Sequence, residues 1–128
     1  MRLAAATLAV AIATAANATW KPEYAQIDPA LQQWFKSQRN PSTNVPCCDT
    51  SDGAYAEEDI RDGHYWARFT AHNIGTGADV ASGWMQVPDD AVIKNANRNG
   101  APVVWYYFMT GSEGPILYIR CFVPGGGV

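Results

Sequence analysis

The feature that most constrains the fold lies near the C-terminal end. Val103-Val-Trp-Tyr-Tyr-Phe-Met109 and Ile116-Leu-Tyr-Ile-Arg-Cys-Phe-Val123 are rich in β-branched and aromatic residues, a composition that suits a pleated, half-buried surface. Thr110-Gly-Ser-Glu-Gly-Pro115 between them is a run of turn formers. The three segments together predict an antiparallel hairpin. Val103–Met109 is apolar at odd and even positions alike, so it is expected at the centre of a sheet, covered on both faces.

The rest of the chain offers shorter runs. His64-Tyr-Trp-Ala-Arg-Phe-Thr70 alternates as a strand after an Arg61-Asp62-Gly63 turn, and Trp84-Met-Gln-Val87 is a brief strand ended by Pro88. Pro88–Ile93 reads as a turn followed by a short strand. Pro41–Gly53, Ile74–Asp79 and Asn95–Gly100 read as loops, and Pro124–Val128 as a flexible tail. One helix stands out. Asp28 can accept hydrogen bonds from free amides at an N-cap, and Pro29 at the next position gives up no useful donor. Leu31, Trp34 and Phe35 then recur at helical spacing on one side, and Pro41 ends the pattern. The expected helix runs from Asp28 to Gln38. The fold class that follows is α+β: a small antiparallel β-sheet of four to six strands with one N-terminal helix packed on it.

The beginning of the chain has the pattern of an export leader. Arg2 is the sole charge before Lys21, and Leu3–Ala16 is apolar but short for a bilayer span. Ala16-Asn17-Ala18 follows as a small-x-small cleavage signal. Residues 1–18 are therefore expected to be a signal peptide, and 19–128 a single small domain beginning at Thr19. No membrane span is expected after cleavage, and the protein is expected in the periplasm or outside the cell. Without Arg2 the chain carries eight basic against twelve acidic residues, a net charge of −4. No basic stripe exists, which argues against nucleic acid and against anionic membrane surfaces as partners.

The chain has three cysteines: the adjacent pair Cys47 and Cys48, and Cys121 in the last predicted strand. In an oxidising compartment a disulfide is the default, and an odd count leaves one thiol over. Cys121 alternates in step with Leu117, Ile119 and Val123, which suggests the inward face. A bridge from Cys47 or Cys48 to Cys121 would close a long loop, worth roughly 4 kcal/mol in loop entropy. The alternative is a strained ring between Cys47 and Cys48. A redox-active dithiol is disfavoured, because no two-residue spacer at a helix N-terminus is present.

Trp34-Phe35-Lys36-Ser37, Pro41, Cys47-Cys48-Asp49 and Ser51-Asp52, followed by Trp84-Met-Gln-Val-Pro88 with Val92 and by Ile119-Arg-Cys-Phe-Val-Pro124, resemble the pattern of a family of small secreted alphaproteobacterial proteins. The resemblance spans most of the chain beyond the leader and implies secretion, with no activity attached. Gly53 and Trp105 stand near positions where that pattern has two further cysteines. Their absence fits a separate pairing of Cys121 with one member of the Cys47-Cys48 pair.

No residue spacing specifies a reaction or a cofactor. His64 and His72, with Glu57, Glu58 and Asp59 nearby, fall short of the three or four converging ligands of a zinc site. Asp49-Thr-Ser-Asp-Gly53 lacks the distal Glu of a calcium loop, and Asx-turns at Asp49 and Asp52 explain it as well. A nucleophile elbow is absent. The aromatic load is the most suggestive feature: five tryptophans, with tyrosines beside them. If Tyr65, Phe69 and Tyr107 point inward, Trp66, Tyr106 and Phe108 lie on the other strand faces and form the candidate interaction surface. The expected function is that of a non-enzymatic interaction module for a protein or envelope component. The alternatives are a small envelope hydrolase, which would show a concave pocket with shifted carboxylates, and an enzyme inhibitor, which would present the Asn44–Gly53 loop on its disulfide.

Overall fold

A computed structural model describes residues 29–48 and 52–125. The leader over 1–18, the N-cap Asp28, the Asx-turn at Asp49 and the last three residues lie outside the described residues. Among the described residues there is one α-helix, α1 (Pro29–Ser37), a short 3-10 helix (Asp89–Ala91) where a turn and a short strand are expected, and eight strands: β1 (Asp52–Tyr55), β2 (Glu57–Arg61), β3 (His64–Arg68), β4 (Thr70–His72), β5 (Asp79–Ala81), β6 (Met85–Gln86), β7 (Val103–Gly111) and β8 (Gly114–Val123). All pair antiparallel, in the orders β1-β7-β8, β2-β3-β6 and β4-β5. The architecture is β-rich α+β with one N-terminal helix and a disulfide. Its strands are divided among three small sheets rather than gathered in one of four to six.

The expected hairpin is β7–β8, and β7 is the central strand of its sheet. Val103 and Trp105 face one side, where they join Trp34, Phe35, Cys47, Ile93, Cys121 and Val123 in one apolar cluster. Val104 and Tyr106 face the other side, packed with Ala67, Phe69, Ala71, Val87, Ile119 and Phe122. Helix α1 therefore seals one face, through Trp34 and Phe35, with the Phe35 ring 6.1 Å from the Trp105 ring. Strands β3 and β4 seal the opposite face: Tyr65 packs on Phe122, and Phe69 stacks on Tyr106 at 5.5 Å. Along this core the hairpin thus has helix on one side and sheet on the other.

Segments that the sequence reads as loop or leaves unassigned pair as strands. Asp52 and Gly53, expected in a loop, open β1, because their backbones pair with Tyr106 and Trp105 of β7. Glu57–Arg61 forms β2 across a two-residue turn in which Asp62 and Gly63 both take positive φ (52° and 78°), the conformation that matches strand twist in tight hairpins. Asp79–Ala81 becomes β5 because it pairs with β4. The start of the expected flexible tail is also tied down. The amide of Gly125 donates to Glu58 Oε2 at 3.1 Å, and Asn97 Nδ2 donates to the Pro124 carbonyl at 2.9 Å.

The disulfide joins Cys47 to Cys121, with Cα atoms 5.7 Å apart, and Cys48 keeps a free thiol. Cys121 does not lie in step with Leu117 and Ile119. A β-bulge in β8 sets Cys121 opposite Trp105 and Ile119 opposite Tyr106, so Arg120 has no cross-strand partner. The extra residue reverses the alternation. Cys121 and Val123 face the helix, while Leu117 and Ile119 face β3 and β4.

Candidate functional site

The bulge is pinned from three directions. Cys121, next to Arg120, is bonded to Cys47. The Arg120 carbonyl accepts a 2.7 Å hydrogen bond from Asn40 Nδ2. Asn40 in turn organises its own loop: its Oδ1 accepts from the amides of Ser42 and Thr43 at 2.8 and 3.0 Å, and its amide donates to the Val45 carbonyl. The third tie is the Arg120 side chain, whose guanidinium lies 4.9 Å from the Tyr107 ring centre. Tyr107 stacks in turn on Tyr118 at 5.3 Å.

Arg120 lines a cavity of about 310 Å³ together with His72, Asn73, Tyr106, Tyr107 and Phe108. Consecutive residues of β7, Tyr106 to Phe108, contribute to it, and beyond Tyr106 the strand has no β1 partner. Tyr106 fixes the wall internally, its hydroxyl accepting the backbone N–H of His72 at 2.7 Å. Asn73 shapes the β4–β5 loop, its Oδ1 accepting the Gly75 amide at 2.9 Å. His72 Nδ1 sits 2.8 Å from Asp79 Oδ1, across the β4–β5 pair. The described lining residues include no carboxylate and no serine or cysteine.

Arg120 is the chemically distinctive member. Its Nε is shut off from solvent with no hydrogen-bond acceptor, and no carboxylate among the described residues pairs with it. Other arginines contrast with it: Arg61 pairs with Asp59 and Arg68 with Glu57. A larger hollow of about 590 Å³, between Tyr55 and Thr70, is lined by that Glu57–Arg68 pair, so its charge is already neutralised.

Trp66, Tyr106 and Phe108 do not form one surface. Tyr106 is 2% exposed and belongs to the core, because β7 turns its even-numbered residues toward β3 and β4. Tyr107, expected inward, is half-buried beside the cavity. Phe108 packs at the margin of the core and lines the cavity. Trp66 lies in the separate β2-β3-β6 sheet, where Arg61 is sandwiched between Trp66 and Trp84 (5.1 and 5.0 Å to the ring centres) and Arg68 covers Trp84 at 4.8 Å. Cation–π stacking therefore occupies these two tryptophans.

The histidines lie on different strands with separate partners, His64 with Asp89 and His72 with Asp79. Among the described residues no three His, Cys, Asp or Glu side chains converge as a metal site would require. Asp59 has a lowered pKa, but it is an exposed carboxylate whose hydrogen bond from Arg61 favours its charged form. No described helix is long and apolar enough to cross a membrane.

Cys48 is half-buried against the helix. Its thiol donates to the Phe35 carbonyl at 3.5 Å and accepts the indole N–H of Trp105 at 3.2 Å. Burial pushes the thiol above its ordinary value, and the Trp105 hydrogen bond and the Lys36 charge offset part of that rise. A raised pKa leaves less thiolate at any pH below it, and thiolate is the reactive form. At pH 8 iodoacetamide should therefore modify Cys48 about tenfold or more slowly than free cysteine. The rate should keep climbing at pH values where free cysteine has levelled off. A plateau at or below the pH of free cysteine would show that the site does not suppress the thiolate.

No family model, no curated protein and no solved structure matches the chain. Fold and cavity define it as a β-rich α+β domain, held by the Cys47–Cys121 disulfide, with one arginine that lacks a carboxylate partner among the described residues in an aromatic-walled hollow.

Proposed function

We propose that this protein is an exported, non-enzymatic binding module that retains a small ligand in the cavity beside Arg120. The observation that carries the reading is an arginine side chain with no carboxylate partner among the described residues, set in the cavity wall with Tyr107, Phe108 and His72. A concave, largely aromatic wall with a few polar groups is the usual construction of a ligand site. The cavity's volume lies at the small end of that range, which suits a compact ligand rather than a polymer. The hydrolase alternative has less support, since the His72–Asp79 pair has no serine or cysteine beside it among the described lining residues.

Amide NMR with a library of small fragments tests the binding role. Shifts should gather at residues 72–75, 106–108 and 120. Fragments that bind only elsewhere, or none that bind, would overturn it.

Export rests on the leader pattern, on the resemblance to small secreted proteins, and on a disulfide that suits an oxidising compartment. Protein isolated from its host should have the intact mass of a chain beginning at Thr19 and should fractionate with periplasm or medium. A full-length mass in the membrane fraction would count against export.

A further inference from the structure

We infer that the cavity ligand is a monoanion with a flat apolar body, an aromatic carboxylate being the class that fits, and that Arg120 selects it; this rests on the binding role proposed above. The fold goes to some length to place this arginine. An extra residue in β8 frees Arg120 from strand pairing, and the disulfide at Cys121 and the Asn40 clamp hold its backbone in place. Bulges of this kind re-aim a side chain at the cost of ladder hydrogen bonds.

The aimed group is a planar cation whose ring contact leaves its N–H donors in need of an acceptor. Tyr107 covers one face of the guanidinium, and a ring presents only π density to a cation. Nε is enclosed without a partner, which is costly for a donor of a charged group. No ion pair with a described residue fixes the side chain, and its terminal nitrogens, unlike Nε, are not shut off from solvent, so they are the edge open to an entering anion. A carboxylate matches that fork with two parallel hydrogen bonds. Phe108 gives the ligand's body an aromatic surface to lie against, while the Tyr107 ring, already in contact with Tyr118 and Arg120, holds the guanidinium in place.

The charge count favours a monoanion over a dianion such as a phosphate monoester. Arg120 is the sole permanent cation among the described lining residues, and the Asp79 carboxylate sits 2.8 Å from the His72 ring. A second negative charge would meet that carboxylate with no cation of its own.

Benzoate and its neutral isostere benzamide separate the possibilities, titrated into the full isotope-labelled chain and followed by amide NMR. Benzoate should shift the amides around His72, Phe108 and Arg120 and bind about tenfold or more tightly than benzamide, the margin of a charge-assisted hydrogen bond. In Arg120→Gln that preference should fall to about twofold or less, and Arg120→Lys, which keeps the charge but loses the fork, should lie between. Equal affinities at the cavity in the unmodified protein would overturn the anion inference and leave the binding role standing. Benzoate shifts confined to Arg61 and Arg68 would also overturn the inference. If neither compound shifts the cavity amides, the anion inference fails, and the fragment library decides the binding role separately. The comparison in the unmodified chain holds even if Arg120→Gln does not fold.

Discussion

Trp34→Ala should bring the protein close to unfolding. Trp34 and Phe35 are 8% and 3% exposed, and both belong to the cluster that closes the helix side of β7. Deleting the indole removes a large apolar surface from burial and leaves a cavity between the helix and the sheet. Such truncations cost about 3–5 kcal/mol. A domain of this size has a total stability on the order of 5–10 kcal/mol, so the loss takes half or more of it. The consequence should spread, because the same cluster contains the disulfide and Val123. Urea titration measures the effect as a lowered midpoint at unchanged slope. A loss below about 1 kcal/mol would mean that α1 is peripheral.

The second large effect is expected at the disulfide. Cys47 and Cys121 are separated by 74 positions, and cross-linking a loop of that length removes roughly 4 kcal/mol of entropy from the unfolded chain. Cys121→Ser should therefore cost about 2–5 kcal/mol, with the new hydroxyl adding a polar group in an apolar site. Measured in a Cys48→Ser background, the comparison is free of thiol exchange. Cys48→Ser alone should leave the Cys47–Cys121 bond intact, as peptide mapping without reductant would show. Loss of that bond in Cys48→Ser, or a negligible cost of Cys121→Ser, would contradict the pairing as a stabilising link.

Both effects draw on parts of the chain whose roles were legible in the sequence. Leu31, Trp34 and Phe35 announce a helix with one apolar stripe, and Val103–Met109 announces a strand covered twice. Such patterns are legible because helix and strand periods act within a window of a few residues. The candidate site was less legible. Arg120 is the one charged residue in Ile116–Val123, and that interruption of an apolar run was the available signal. Asn40 carried a weaker one, an Asn followed by Ser42 and Thr43 in a turn-rich stretch. Neither reveals that the carbonyl of one accepts from the side chain of the other across 80 positions.

What the sequence determined by itself is therefore the set of local elements: the helix that carries Leu31, Trp34 and Phe35, the β7–β8 hairpin and the Asp62-Gly63 turn. Tertiary structure alone decided that Cys47 rather than Cys48 makes the bond, that Tyr106 turns inward, and that β8 carries its bulge at Arg120. Neighbouring cysteines differ in no local property, and only the placement of the loop over Trp105 brings one sulfur to Cys121 and the other to the indole N–H. Strand faces depend on register, and one inserted residue moves every side chain beyond it to the opposite face. A bulge arises from the fit between two strands and the layers packed on them, so no window along a single strand contains it.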